Sequence, residues 1–390
     1  MRSFMQARNI PGASLALTRN GKLVLARGYT FSNDSEDLTV EPGSLFRVAS
    51  LVKPITAVAV LRLVQDGELD LSAKLADLLD LAPPTGRSPD PLLGTITLRH
   101  LLQHLGGWDR DLTFDPQFHD SAIAEELGVS LPISKADIAT FMTGKLLDHA
   151  PGATYAYCNY GYSLLGQVIE QVAGESYEAY VNRRVFQPLR VIRPAIARTR
   201  PEHRLMNEVR YHTQHSSQSV LEDCGQTVPS CYGGWNIENM DSHGGWLASA
   251  VDLVRLASAF DDPASSPVLD PASVATMYGL PENIAPSGYT PGDWYYACGW
   301  AVRDWGDGIR NTWHTGSLDG THSLVVRRWD GLDWCVLFNQ RDDASVLSYD
   351  TIDGLLHDAA DAVTQWPDHD LFDDHLSPVH ICEAEGGLAE

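Results

Sequence analysis

The sequence predicts an α/β protein of the α+β type, with an antiparallel sheet built from both chain ends, flanking helices and a mostly helical inserted domain. Strand-like runs lie near the start of the chain, β-rich runs return after residue 298, and apolar helical runs lie between them. The expected boundaries are residues 1–66 with 245–366 for the α/β domain, 67–244 for the helical domain, and 367–390 for an acidic C-terminal tail.

The N-terminal part begins with a predicted hairpin. Residues 14–19 and 22–29 are strand-like, and they flank Asn20-Gly21, the strongest short-range hairpin signal. Residues 50–66 follow as a run that is apolar on nearly every face, which is typical of a helix in the middle of a protein.

Helical patterns dominate the middle of the chain, and strands return near its end. The stretch 106–132 is rich in Asp, Gly and Pro and predicts a long surface loop, and 201–243 predicts an irregular insertion near the site opening. Residues 345–364 predict a closing helix. Four short runs predict an antiparallel meander: 298–305, 311–315, 323–329 and 333–340.

Charge limits the choice of partners. The 390 residues carry 28 Lys+Arg against 51 Asp+Glu, a formal net charge of −23. Such a surface repels phosphate backbones, so nucleic acid is not expected as a partner. Strongly anionic substrates are disfavoured unless a local basic pocket receives them, and no segment reaches the apolar length of a membrane span. We therefore expect a small molecule as the substrate. The sequence does not indicate the oligomeric state.

Cysteines and the N-terminus bear on the compartment. None of the six cysteines forms a CxxC pair with metal-ligand spacing. Cys224 and Cys231 bracket a short loop and would pair in an oxidising compartment, although free thiols are expected. The first residues lack the apolar core of a signal peptide, which favours a cytoplasmic location for the chain as given; a trimmed N-terminus leaves a periplasmic or secreted location open.

The first chemical motif is Ser50-Leu51-Val52-Lys53 at the start of the buried helix. Spacing i, i+3 places the hydroxyl and the amine on one face. A serine needs a base beside it to become a nucleophile, and a desolvated lysine has a lowered pKa. The plainer interpretation is a helix cap with a surface lysine, but Lys53 opens a run that is otherwise almost wholly apolar.

The second motif is Tyr157-Cys158-Asn159, just before a helical pattern over 160–172. A tyrosine near two cations can have a depressed pKa and act as a proton shuttle. An asparagine amide can accept from an amine and donate to a substrate carbonyl. On its own, the tripeptide favours a packed aromatic ring followed by an N-cap asparagine.

The third motif is His314-Thr315-Gly316-Ser317, at the end of a β-rich run. Gly316 would let a substrate lie against the strand without an intervening side chain. The N–H of Ser317 could then point at a developing oxyanion together with the N–H of Ser50. The alternative is an ordinary strand end followed by a turn.

Together the three motifs resemble one family. SxxK, then YxN about a hundred residues later, then [K/H/W]-[T/S]-G on a late strand is the pattern of class C β-lactamases and their relatives. Those relatives are DD-peptidases, D-aminopeptidases, β-lactamase-like carboxylesterases and peptide-releasing acyl transferases. Further stretches of the chain resemble the same family: Ile10–Ala13, Leu101–Gly107, Pro151–Tyr155, Gly244–Trp246 and Ser249–Leu253.

The resemblance covers about residues 8–365 and implies a β-lactamase/transpeptidase-like fold, a covalent acyl-enzyme and no metal or other cofactor. It implies that Ser50 is acylated and that Lys53 and Tyr157 share the proton traffic. The substrate-binding residues that it implies are Asn159, His314, Thr315, Gly316 and Ser317.

One position departs from the β-lactamase pattern. His314 stands where typical β-lactamases have a lysine that holds the substrate carboxylate, and a histidine is mostly neutral at pH 7. This favours an esterase or amidase using Ser50, and His314 could itself assist proton transfer. The alternatives are a D-peptidase, transpeptidase or peptide-cyclising acyl transferase, a weak β-lactamase, and a non-catalytic binding module that kept the fold.

Overall fold

Both ends of the chain contribute strands to one antiparallel sheet of seven strands. The computed structural model describes residues 1–32, 34, 37–284, 288–341 and 347–375. The strand order of the sheet is β2-β1-β12-β11-β10-β9-β8, and smaller sheets pair β3-β7-β4 and β5-β6. The strands are β1 (Gly12–Arg19), β2 (Lys22–Thr30), β3 (Phe46–Arg47), β4 (Ala195–Ile196), β5 (Ser216–Gln218), β6 (Thr227–Pro229), β7 (Trp246–Ala248), β8 (Trp294–Tyr296), β9 (Ala301–Asp304), β10 (Arg310–Leu318), β11 (Thr321–Arg327) and β12 (Leu332–Phe338).

Helices cover both faces of the sheet and fill the middle of the chain. They are α1 (Arg2–Arg8), α2 (Val52–Gln65), α3 (Leu75–Leu78), α4 (Leu98–Leu102), α5 (Asp120–Leu127), α6 (Lys135–Thr143), α7 (Asn159–Ala173), α8 (Tyr177–Val181), α9 (Ala250–Ser258), α10 (Pro271–Met277) and α11 (Ile352–Asp361). On one face, α1 and α11 pack against β12 through Phe4, Ile352 and Trp334. On the other face, α9 packs against β1 and β12.

The predicted hairpin and meander are confirmed. Asn20 and Gly21 have φ angles of 51° and 75°, the left-handed pair that a two-residue hairpin needs. Strands β9 to β12 form the meander. The sequence analysis missed α1 and the short edge strand β8, because neither shows a clear apolar period. The closing helix is shorter than predicted, and residues 345 and 346 of that prediction lie outside the described residues.

Helix α2 is buried on nearly every face, as its sequence predicts. It contacts α7 and α8 of the helical part, and also α10, which follows β7 in the chain. Lys53, on its first turn, has no exposed surface. A lysine is therefore held inside the protein, where burial of a cation is costly without specific partners.

Two predictions about irregular segments are wrong in part. The stretch 106–132 contains α5, which packs through Ile123 and Ala124, and its Trp108 is buried as well. The beginning of the predicted tail is also packed, because Leu371 donates to the Leu23 carbonyl over 2.9 Å and Phe372 is buried. Apolar side chains anchor both segments; residues 376–390 lie outside the described residues.

Two further sequence features have structural outcomes. Cys224 and Cys231 are free thiols, the first exposed and the second buried. Cys382 lies outside the described residues. Within the described ranges, no helix combines the length and the apolar character needed to span a bilayer.

Candidate active site

Ser50 lies in a short 3-10 turn, Ala49–Leu51, that leads directly into α2. The preceding residue, Ala49, has a φ of 48°, a left-handed conformation that is uncommon for a residue with a Cβ. The turn is held by the sheet, because the Ser323 hydroxyl of β11 donates to the Val48 carbonyl over 2.8 Å. The sheet therefore fixes the strained turn that presents the Ser50 hydroxyl.

The Lys53 amine is the centre of the polar contacts. Its Nζ lies 3.0 Å from Ser50 Oγ, 2.7 Å from Asn159 Oδ1 and 3.0 Å from the His243 carbonyl oxygen. Burial lowers the pKa of Lys53 well below its usual value, and the charge of Asp115 opposes this shift. A neutral amine beside a serine hydroxyl can accept its proton.

Tyr157 completes the group that the sequence predicts. Its ring centroid lies 4.7 Å from Lys53 Nζ and 4.6 Å from the guanidinium carbon of Arg110. The depressed pKa expected for this phenol is not found: burial raises it, and this outweighs a hydrogen bond with Ser50 and the charge of Arg110, which act in the opposite direction. The hydroxyl, the amine and the phenol therefore converge, although they lie far apart in the chain.

Asn159 has a fixed orientation. Its Oδ1 accepts from Lys53, and its Nδ2 donates to Asp115 Oδ2 over 2.6 Å. One of its two amide hydrogens is thus used by Asp115, and Asn159 also lines the cavity over Ser50. The N-cap of α7 is Cys158 rather than Asn159, because the buried Cys158 Sγ accepts from Gly161 N.

His314 is buried and neutral. Burial and the nearby Lys53 lower the pKa of His314 to about 3. Its Nδ1 lies 2.6 Å from the Thr315 carbonyl, which can only accept, so Nε2 accepts from the Tyr296 hydroxyl at 2.9 Å. Both ring nitrogens are occupied, so the expected assistance of His314 in proton transfer is not supported.

The other residues of the third motif alternate across β10. Thr315 and Ser317 are exposed on one side, whereas Gly316 is buried on the other. A Cβ on Gly316 would lie 2.4 Å from the Val48 carbonyl and 3.1 Å from Ala49 Cβ. The prediction that Gly316 clears space for substrate is therefore wrong: its missing side chain makes room for the Ser50 turn, because a strand points successive side chains to opposite faces.

Replacing Gly316 with alanine is expected to destabilise the protein by about 1–3 kcal/mol, because the added methyl group must displace the backbone at Val48. Thermal unfolding measures this loss. Gly354→Ala is the control, since a Cβ at that helical position meets no atom within 4 Å. Equal unfolding midpoints for Gly316→Ala and wild type would contradict this packing.

Two cavities flank these residues. One, of about 540 Å³, opens over Ser50 and is lined by residues from the helical middle of the chain and from the strand-forming parts on either side of it. Its walls include Arg110, Phe118, Asn159, Ser217, Trp235, His243, Ser317, Asp319 and Arg341. The other, of about 340 Å³, lies beside Tyr157 and is mainly aromatic. Its walls are Tyr155, Tyr157, Trp294, Tyr296, Ala301, Arg303, Trp313, His314 and Thr315.

Several residues at the site escaped the sequence analysis. Arg110 and Asp115 lie in the stretch expected to be a surface loop, and a conspicuous number of Asp residues was the only signal there. His104 packs its ring 4.3 Å from that of Tyr157 and accepts from Cys158 N over 3.1 Å. Nothing in the sequence around His104 predicts this contact, because it depends on how α4 and α7 pack.

Comparison with known proteins shows what the chain is similar to. A family model described as Beta-lactamase matches residues 1–358. Penicillin-binding protein 4 of Amycolatopsis lactamdurans is 28% identical over 325 residues, covering 81% of this chain and 77% of that protein.

Solved structures share the fold. The D-amino acid amidase of Ochrobactrum anthropi SV3, complexed with D-phenylalanine, aligns with a TM-score of 0.68 at 21% identity, covering 92% of this chain and 96% of that one. EstCE1, a hydrolase with promiscuous acyltransferase activity, aligns with a TM-score of 0.66 at 19% identity, covering 88% and 93%. With a family match over nearly its whole length and this shared fold, the chain belongs to the beta-lactamase family.

Proposed function

We propose that this protein is a serine hydrolase that cleaves uncharged esters or amides through an acyl-enzyme on Ser50. The observation that carries the proposal is the 3.0 Å contact between Lys53 Nζ and Ser50 Oγ, made by a fully buried amine whose pKa is lowered. Similarity to an amidase and to a hydrolase with acyltransferase activity supports the same class of chemistry.

The proposed reaction begins when Ser50 Oγ attacks the substrate carbonyl carbon and its proton passes to the neutral Lys53 amine. The backbone N–H groups of Ser50 and Ser317 stabilise the oxyanion. Tyr157 carries the proton from Lys53 to the leaving oxygen or nitrogen as the bond to carbon breaks. Water then attacks the acyl-enzyme with the same groups acting as base, which releases the acid and restores Ser50.

The two cavities suggest how a substrate lies. Tyr157 makes a hydrogen bond with Ser50 and also lines the aromatic cavity, so the group that receives its proton would leave on that side. The acyl part would then occupy the larger cavity with Asn159 and Trp235. The neutral His314 provides no charge for a carboxylate, which favours an uncharged leaving group.

One observation favours a second candidate, a peptidase. Arg303 lines the aromatic cavity together with Thr315, and its guanidinium carbon lies 5.6 Å from the Trp313 ring centroid. A guanidinium at that rim is suited to a carboxylate, which the leaving residue of a peptide carries. The peptidase would use the same Ser50 machinery with a different leaving group.

Labelling and a substrate panel test the proposal. A fluorophosphonate probe is expected to add one mass adduct, mapped by peptide mass spectrometry to Ser50. Turnover of p-nitrophenyl butyrate should exceed that of nitrocefin and of a peptide ending in D-Ala-D-Ala. Preferred cleavage of the peptide would favour the peptidase, and rapid nitrocefin turnover a β-lactamase. A chain that takes no adduct, under conditions that label a control hydrolase, would be a binding module and would refute the proposal.

A further inference from the structure

Proton transfer through Tyr157 benefits from a fixed positive charge nearby, and the third motif does not supply one. His314 is neutral, and both of its nitrogens are occupied. Lys53 is itself the proton acceptor, so its charge appears only during the reaction. A permanent cation must come from elsewhere in the fold.

Arg110 provides that charge. Its guanidinium carbon lies 4.6 Å from the Tyr157 ring centroid, and the residue lines the cavity over Ser50. An arginine stays protonated at every working pH and stacks readily on an aromatic ring. The site thus receives its charge from the segment between α4 and α5 instead of from β10.

A single carboxylate connects this arginine to the rest of the site. Asp115 Oδ2 lies 3.9 Å from Arg110 Nη1 and 2.6 Å from Asn159 Nδ2. Asn159 in turn accepts from Lys53 over 2.7 Å. The side chain of Asp115 is 12% exposed and that of Arg110 is 40% exposed, so the carboxylate is largely shielded from water whereas the guanidinium is partly open to it.

We propose that Arg110 is a positioning residue which supplies the positive charge for proton transfer between Ser50, Lys53 and Tyr157, and that Asp115 holds both Arg110 and Asn159 in place. The inference rests on the proposed function. It assigns to the segment between α4 and α5 the positive charge that His314 of the third motif does not provide.

The two residues have opposite electrostatic effects on Lys53. The charge of Arg110 lowers the pKa of Lys53, whereas that of Asp115 raises it. The other titratable groups around Lys53 stay uncharged near neutral pH, because burial lowers the pKa of the histidines and raises the pKa of the thiol and the phenols. These groups are His104, His243, His314, Tyr157, Cys158 and Tyr162.

A pH profile of kcat/KM can therefore distinguish the effect of Arg110 on the pKa of Lys53 from that of Asp115. In wild type, the acid limb of kcat/KM is expected to follow protonation of Lys53. Arg110→Gln should lower kcat/KM for p-nitrophenyl butyrate at pH 7 by about 10- to 100-fold and move the acid limb to higher pH. Asp115→Asn should also lower the rate but move the acid limb to lower pH. A purely structural role would lower the rate without moving the limb.

Two further variants complete the experiment. Arg110→Lys should return the acid limb towards its wild-type position, because it restores the charge. Arg87→Gln is the matched control, since Arg87 is an exposed arginine that pairs with Glu126, lines neither of the two cavities and should change nothing. Unfolding midpoints of all variants are compared so that a folding defect is not mistaken for lost positioning.

The outcomes separate the two proposals. If wild type takes no fluorophosphonate adduct on Ser50, the proposed function fails. If wild type is labelled and active, yet Arg110→Gln behaves like Arg87→Gln, the function stands and the inference is overturned. Loss of rate in Arg110→Gln without a displaced limb, or without recovery in Arg110→Lys, overturns it as well.

Discussion

Ser50→Ala is expected to reduce turnover of every hydrolysed substrate by about 10⁴-fold or more, because it removes the hydroxyl that lies 3.0 Å from the Lys53 amine. Covalent labelling by a fluorophosphonate should disappear at the same time. Initial rates with p-nitrophenyl butyrate and intact-protein mass spectrometry measure the two effects. The fold should persist, since the side chain is small and its hydrogen bonds are made with Lys53 and Tyr157 of the site.

The control for this variant is Ser72→Ala. Ser72 is an exposed serine whose hydroxyl donates to Asp70, and its removal should leave the turnover rate unchanged. The unfolding midpoint of Ser50→Ala should lie close to that of wild type. Residual turnover above one per cent of wild type, or an adduct on another residue, would show that the nucleophile is not Ser50.

Lys53→Met is expected to reduce the rate of acylation by about 10²- to 10⁴-fold, the usual contribution of a general base. The methionine occupies a similar volume but leaves Asn159 Oδ1 and the His243 carbonyl without their donor, which should cost about 1–3 kcal/mol of stability. Stopped-flow acylation and thermal unfolding measure the two losses separately.

Lys53→Arg tests whether Lys53 acts as a general base or only as a positive charge. A guanidinium retains hydrogen-bond donors but does not lose its proton in the working range, so it cannot accept the proton of Ser50. We therefore expect Lys53→Arg to be as slow as Lys53→Met. In wild type, the rate should fall as the pH drops through the lowered pKa of Lys53, because the amine becomes protonated. An arginine variant with wild-type acylation would rule out Lys53 as the base.

The sequence was sufficient to predict features that depend on local spacing. Asn20-Gly21 determined the first hairpin, and the SxxK spacing placed Ser50 and Lys53 on one face of a helix start. The burial of Lys53 followed from the apolar residues around it. These signals are local, so they are present before the chain folds.

Other features depend on contacts between distant segments. Whether Gly316 faces substrate or the Ser50 turn is set by the register of β10 against β11. Had the register of β10 been known, the alternation of its side chains would have placed Gly316 on the face opposite to Thr315 and Ser317. The sequence did not predict the pairing of Arg110 with Asp115 or the contact of His104 with Tyr157, because local spacing does not show which of these side chains meet.

The hydrogen bond from Ser323 of β11 to the Val48 carbonyl has a consequence for protein synthesis. Ser50 is translated at least 260 residues before the strands that shape its turn and supply the amide of Ser317. A growing polypeptide therefore lacks the support of the Ser50 turn until β11 has been made. Under the proposed function, chains that end before β11 should therefore not form an acyl-enzyme on Ser50.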